Sequence, residues 1–378
     1  MKQINTLNFA GQSFYIGVDV HSTNWKVTVR SNGLKLATFS IDPNPVKLKE
    51  YMQTRYPEGT YNSVYEAGFS GYWAHRELEK MGFNNIVVNP ADVPTTDKEK
   101  DRKNDPIDSN KLSRELSSGS LKGIFVPDIK QESVRVLSRS LRQYSQRSSQ
   151  IKNRIKGLLY FLGLKCEGDS LKHWSAAYLK QLSEIVFPDE NDRFTMECHL
   201  EELMHVRRMK TKILKLIHAI SKENPVICLL RTIPGIGIVT AFTLYAELVD
   251  IKRFTNLDHL ASFVGLVPST SSSNDKTIMR GMTNRHCRYL RYMLIEAAWV
   301  AAKKDPVLTL CYSNLINKGK MKKTRAIVKI AKKLLNRIRA VWKNNEAYEP
   351  GVVETDRNTK KVNIDKKSAN VKSLVAGL

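Results

Sequence analysis

From Trp25 to Arg30 apolar and polar side chains alternate, Trp-Lys-Val-Thr-Val-Arg, the period of a strand with one buried face. Before it, Phe14–Val20 is a short and mostly apolar run. After it, Ser31-Asn32-Gly33 is a hairpin turn signal from which Leu34–Ser40 returns. Helical spacing then predicts helices at Pro45–Tyr56 and Gly71–Met81. Strands are expected at Asn62–Glu66 and Asn85–Asn89, a further helix from Pro106, and a short run at Ile124–Val126.

The period changes beyond Asp128. Val134, Leu137, Leu141, Tyr144, Ser148, Ile151, Ile155, Leu158 and Leu162 repeat with 3-4 spacing, which predicts one long helix over 128–163 with a coiled-coil seam. A second helix, about His199–Lys222, carries Leu203, Val206, Ile213, Ile217 and Ile220, and Asn224-Pro225 stops it. The two stripes fit either an intramolecular hairpin or an interface between subunits. Residues 226–345 read as a separate, mostly helical region. Ile233-Pro234-Gly235-Ile236-Gly237 leads into an apolar helix and has the form of half a helix-hairpin-helix, or of a plain packing corner. Four regions follow: 1–127 (α/β), 128–225 (long helices), 226–345 (helical), and a polar tail, 346–378, expected to be disordered.

Charge adds a partner to this outline. The 378 residues carry 61 Lys and Arg against 37 Asp and Glu, a formal net charge of +24. That is the footprint of a polyanion-binding protein. Between Pro306 and Asn345 there is no acidic residue, and 11 Lys or Arg fall within Lys318–Lys343 around an apolar stripe at Ile327, Ala331, Leu334, Ile338 and Val341. Lys329, Lys333, Arg337 and Arg339 on this helix, with Arg280, Arg285, Arg288 and Arg291 upstream, are the expected nucleic-acid contacts. The five cysteines are scattered with no CxxC pair, so neither a zinc site nor a disulfide framework is indicated. No apolar run approaches transmembrane length and the N-terminus lacks a signal-peptide pattern, which points to a cytoplasmic protein with no membrane partner.

Against this basic background four acidic residues stand out: Asp19 in the first strand, Glu66 closing the fourth, and Asp105 and Asp108 at the start of a helix. A carboxylate on a buried strand is costly unless something cationic meets it. Asp105 and Asp108 alone read well as an N-cap and a first-turn acid around Pro106. Taken with Asp19 and Glu66, however, they share a helix face that can point at the strand ends. Four such carboxylates can hold two Mg²⁺ ions roughly 3.5–4 Å apart, with Mn²⁺ able to substitute, for phosphodiester chemistry. Three meandering strands followed by alternating helix and strand is the ribonuclease-H-like order, and the carboxylates fall where that fold uses them. Ser269–Asp275 is a polar loop whose serines, next to arginines, are candidate nucleophiles. His21, His75 and His286 are isolated and read as structural or phosphate-contacting.

These motifs carry a resemblance. Ile16-Gly17-Val18-Asp19-Val20-His21, Tyr65-Glu66-Ala67-Gly68 and Asn104-Asp105-Pro106-Ile107-Asp108 resemble the DEDD transposases of the insertion-sequence one-ten family. Ile233-Pro234-Gly235-Ile236-Gly237, Phe263-Val264-Gly265-Leu266-Val267-Pro268 and Tyr289-Leu290-Arg291 are similar to that family's second domain. The resemblance spans about residues 14–345. It implies a RuvC-like (ribonuclease-H-like) catalytic domain, a coiled-coil region and a domain bearing a nucleophilic serine. It further implies a site-specific recombinase acting on double-stranded DNA of element and target, guided by a structured bridge RNA. It implies a homo-oligomer, dimer to tetramer, working at the nucleoid of a bacterium or archaeon. By position the serine is Ser273, with Ser272 and Ser271 as rivals, because Asn274 stands where the family usually has glycine and His286-Cys287 replaces a common Gly-Asn.

Other classes fare less well. A junction-resolving metal nuclease would use the carboxylates with water but has no use for residues 226–345. An actin-like or sugar-kinase-like ATPase would need glycine-rich phosphate loops that are not present. For a non-catalytic scaffold the acidic quartet would be a liability.

Overall fold

The computed structural model describes residues 8–94, 105–164, 174–273, 276–282, 287–351, 353–355 and 362–364; side chains at 105–107, 268–282 and beyond 351 are not described. The chain forms two compact units, Met1–Pro127 and Asp128–Leu378.

The first unit is a five-stranded sheet with helices on both faces. Its strands are β1 (Ser13–Val20), β2 (Trp25–Ser31), β3 (Leu34–Ile41), β4 (Thr60–Glu66) and β5 (Asn84–Val88), in the order β3-β2-β1-β4-β5. The β1-β2 and β2-β3 pairs are antiparallel; β1-β4 and β4-β5 are parallel. Asn32 and Gly33 turn β2 into β3 with φ of 50° and 75°, the left-handed pair that a tight hairpin needs. Helix α1 (Pro45–Arg55) starts on the Asn44 side-chain cap with Pro45 in its first turn, and α2 (Trp73–Lys80) follows β4. Alternation sorts the sheet's side chains. Phe14, Ile16, Val18, Trp25, Val27 and Val29 join Leu48, Met52, Ala74 and Leu78 in one core. On the opposite face Val64 and Val88 pack against Leu112 of α3 (Asp105–Ser117).

The second unit begins with α4 (Ile129–Phe161), capped by Asp128, and includes α5 (Ala176–Ser183) and α6 (Glu190–Glu223). The helices α4 and α6 run antiparallel as a hairpin within the chain. Ile151 and Ile155 meet Leu203 and Val206, while Leu141 and Ile217 join a different cluster. The seam differs from the expected one in detail: Ser138 and Leu159 are buried, and Leu158 is only partly so. Helix α6 starts nine residues before the expected His199, because the Asp189 cap with Glu190 and Asp192 in the first turn sets the start; the apolar stripe does not. Asn224 ends α6 and, through its side chain, caps α7 (Pro225–Leu230).

The remaining elements are α8 (Ile238–Leu248), α9 (Leu257–Val264), the hairpin β6 (Pro268–Ser273) and β7 (Lys276–Met282), α10 (Arg288–Lys304), α11 (Pro306–Asn317), α12 (Lys323–Asn344), and the short pair β8 (Val353–Thr355) and β9 (Val362–Ile364). Three expectations are corrected here, and one open alternative, at Gly235, is decided. The serine-rich segment, expected as a loop, is mostly an antiparallel hairpin in which Ser271 pairs with Ile278, Ser272 with Thr277 and Ser273 with Lys276. Gly235 is a packing corner, with φ +91°, so close to α10 that a Cβ would lie 2.5 Å from the Ala297 carbonyl. The segment from Glu346 is not simply a tail, since Tyr348 is 7% exposed and sits in the core. Residues 226–345 share that core with Leu141 of α4 and Ile217 of α6.

Candidate active site

Three of the four sequence-selected carboxylates gather at one end of the first unit's sheet. Asp19 lies near the end of β1, opposite Lys26 of β2, and its Oδ2 is 3.1 Å from His21 Nε2. Glu66 is the last residue of β4. The Tyr65 hydroxyl, buried beside it, donates to the Gly71 carbonyl (3.0 Å) and accepts from the His75 amide (3.3 Å), which ties the loop after Glu66 to α2. Asp108 lies in the first turn of α3, and Asp105 opens that helix; the Asp105 side chain lies outside the described residues.

Small residues place α3. A Cβ on Gly17 would lie 2.1 Å from the Ser109 carbonyl oxygen and 2.5 Å from the Ser113 nitrogen, so β1 and α3 touch backbone to backbone. The side-chain hydroxyls of Thr28 and Ser109 are 2.9 Å apart, and Arg30 donates to Asn110 Oδ1 at 3.0 Å. Asp108 is the neighbour of Ser109, so this seating fixes its height above the sheet.

Lys111, one turn along from Asp108, reaches into the same place. Its side chain is 8% exposed, with Nζ 3.4 Å from Asp108 Oδ1 and 3.7 Å from Glu66 Oε1. Burial raises the Glu66 carboxyl above its ordinary value. Lys111 opposes this, while the charges of Asp108 and Asp19 raise it further. One carboxyl therefore feels both of the others. Hard oxygen donors of this kind suit a divalent cation. Among the described residues no three such side chains stand close enough to ligate one ion. Its i+3 spacing from Asp108 is all that marks Lys111 along the sequence.

His75 is structural. It is buried, its Nδ1 pairs with Asn85 at 2.8 Å, and burial lowers its pKa. His286 and Arg285 lie outside the described residues, as do the side chains of Ser271, Ser272, Ser273 and Arg280.

In the second unit the segments that flank the β6-β7 hairpin meet. The Cys287 amide donates to the Phe263 carbonyl at 3.0 Å. Beside it Glu247, only 2% exposed, takes Arg135 and Arg139 of α4 at 2.8 and 2.9 Å. Burial would raise the Glu247 carboxyl, but the Arg139 hydrogen bond and the charges of Arg135 and Arg139 outweigh it and hold it low. Burial pushes the Cys287 thiol above its ordinary value. Arg142 stacks over the Tyr289 ring at 4.8 Å.

The expected basic contacts separate. Arg288 and Lys329 are exposed, and Arg291 and Lys333 are half-buried. Arg339 donates to the Thr255 carbonyl at 3.0 Å. Arg337 is a correction: it is 2% exposed, lies 3.2 Å from the buried Asp305 and faces the Tyr348 ring, so it cannot meet a phosphate. The Tyr348 hydroxyl donates to the same Asp305 carboxylate, which burial of the cation requires. No helix of the described residues is long and apolar enough to cross a membrane.

A carboxylate cluster on an α/β sheet, in a chain with a strongly basic helical unit, is what an enzyme acting on nucleic acid would carry, and comparison with known proteins places the chain further. Residues 16–162 match the DEDD transposase model of the IS110 family, and residues 228–313 match the transposase model of the IS116/IS110/IS902 family. The chain belongs to the IS110 family of transposases. It is 27% identical to the transposase for insertion sequence element IS1111A of Coxiella burnetii, over 81% of this chain and 84% of that protein. It is also 27% identical to the transposase for IS1533 of Leptospira borgpetersenii, over 75% and 84%. A third relative is the pilin gene-inverting protein of Moraxella bovis, 30% identical over 39% of this chain and 47% of that protein. DEDD transposases are in general dependent on divalent metal.

Proposed function

We propose that this transposase recombines DNA with two separate pieces of chemistry, a carboxylate site in the first unit and a serine on the β6-β7 hairpin. The observation that carries this reading is the convergence of Asp19, Glu66 and Asp108 at one sheet end, with α3 seated on Gly17. The strand order, three antiparallel strands continued by two parallel ones, supports a ribonuclease-H-like (RuvC-like) fold for this unit. Asp19, Glu66, Asp105 and Asp108 would hold the divalent ion, Mg²⁺ by preference. Bound there, it would neutralise charge on the scissile phosphate and activate the attacking oxygen.

Ser273 is the nucleophile in this reading. Its hydroxyl oxygen bonds to phosphorus and gives up its proton. The bond from phosphorus to a deoxyribose oxygen breaks, and that oxygen takes a proton and leaves as a hydroxyl. Rejoining is the reverse, with a hydroxyl from another strand. Ser273 sits at the last paired position of β6, the end of the hairpin farthest from its flanking segments. The relative that inverts a pilin gene fits a strand-exchanging enzyme better than a nuclease that only cuts. The net charge of +24 accommodates double-stranded DNA together with a structured guide RNA, bound by a homo-oligomer.

Asp19→Asn, Glu66→Gln, Asp105→Asn and Asp108→Asn should each abolish strand cleavage and leave DNA binding largely intact. On a suicide substrate, wild type should carry a nucleotide adduct on the peptide containing Ser269–Asp275. The adduct should be absent in Ser273→Ala and present in Ser272→Ala. Normal cleavage with no adduct would replace the serine step by attack of water.

A further inference from the structure

Lys111 stands where the carboxylates converge. Half-buried carboxylates that share a site repel one another, and without a cation the cheapest relief is to take up protons or move apart. The ammonium of Lys111 supplies that cation from within the chain. It is almost wholly buried, at 8% exposure, and it contacts Asp108 on its own helix and Glu66 on β4. At 3.4 and 3.7 Å both contacts are long. They are not the paired short bonds by which an arginine locks a carboxylate. Lysine carries a compact charge on a flexible four-carbon stem, so it can withdraw without disturbing the backbone. It also occupies the space that an ion ligated by Glu66 and Asp108 would need. Oxygen ligands approach Mg²⁺ at about 2.0–2.1 Å, and among the described residues no three carboxylates stand close enough to form such a shell.

We propose that Lys111 is a placeholder cation: its ammonium holds Glu66 and Asp108 together beside Asp19 until a divalent ion displaces it. The proposal rests on the metal-binding reading of the carboxylates. Lys111 is then a positioning residue. It keeps the ligands gathered and α3 in place in the metal-free protein, and its departure accompanies metal entry. Metal affinity is thereby set lower than four carboxylates alone would give, so the ion is held firmly only when a substrate phosphate adds its own negative charge.

Calorimetric titration of the full-length protein with Ca²⁺, without DNA, tests this. Glu66→Gln and Asp108→Asn should lose the binding seen in wild type. Lys111→Met removes the charge and keeps most of the volume, and should bind Ca²⁺ about tenfold more tightly or better. Its metal-free form should melt at a lower temperature than wild type and gain more from Ca²⁺, whereas Lys111→Arg should not tighten binding. Unchanged or weaker Ca²⁺ binding by Lys111→Met, with the carboxylate variants binding nothing, would overturn the placeholder role and leave the metal site standing. Equal binding by wild type and both carboxylate variants would instead overturn the metal reading, and the proposal with it. Should Lys111→Met not fold, wild type suffices. Reductive methylation of Lys111, followed by mass spectrometry, should be slow in metal-free protein and faster with Ca²⁺. An equal or slower rate with Ca²⁺ refutes displacement.

Discussion

Gly17→Ala adds one methyl group, and the structure fixes where it must go. The new Cβ would lie 2.1 Å from the Ser109 carbonyl oxygen, 2.5 Å from the Ser113 nitrogen and 3.0 Å from Leu112 Cβ, against the 3.4 Å at which ordinary contact begins. Two of the three atoms are helix backbone, so no rotamer change can relieve the clash. Helix α3 must back away from β1 by about 1 Å. Overpacking of this kind costs roughly 1–3 kcal/mol. The larger effect is on geometry, since α3 carries Asp105, Asp108 and Lys111 while Asp19 stays on β1. A misplacement of about 1 Å costs on the order of 10²-fold in rate. Gly17→Ala should therefore cut strand cleavage about 100-fold and leave a folded protein that binds DNA with nearly wild-type affinity. The assay pairs a single-turnover cleavage rate with urea unfolding and a DNA-binding titration. Gly157→Ala is the control: it lies within α4 with nothing within 4 Å of its Cβ position, and should stabilise by about 0.5–1 kcal/mol without touching the rate. Cleavage by Gly17→Ala at more than half the wild-type rate would refute the close seating of α3.

Two further outcomes follow from the second unit. The Glu247 carboxyl is held below its ordinary value, so it contributes stability above the unfolded pKa that is lost as pH falls through the lower folded value. Urea midpoints measured from pH 7 downward should fall for wild type below about pH 4.5, and Glu247→Gln, less stable at pH 7, should show a shallower fall; parallel curves would remove the ion pair from the account. Arg337→Ala should destabilise by about 3–5 kcal/mol by leaving Asp305 buried without its cation, whereas exposed Lys329→Ala should fold normally, weaken DNA binding and lower the salt slope by about one. A stable Arg337→Ala with a DNA-binding defect would return that residue to the basic face.

Much of this protein is legible along the chain, because strands, turns and caps depend on neighbours. The alternation at Trp25–Arg30, the Asn32-Gly33 turn and the Asn224-Pro225 stop each act over a few residues, and each sits in the structure where the pattern places it. Asp19 and Glu66 could be selected as site residues because a charge on an apolar strand is anomalous by itself.

Tertiary structure decided what depends on partners far away in sequence. Arg337 and Lys329 look alike on a basic helix; only Asp305 and Tyr348, folded against one of them, make it a buried counter-ion. Gly17 reads as one more small residue in a strand until Ser109 and Ser113 arrive from α3 and leave no room for a Cβ. Lys111 would be a solvated helix lysine without Glu66, 45 positions earlier. The β6-β7 hairpin escapes a periodicity argument because serine and threonine runs carry no apolar alternation, and its strands are specified by pairing with each other. Hydrophobic spacing is a property of the segment, whereas the environment of a charge, and hence its chemistry, is set by whatever the fold brings beside it.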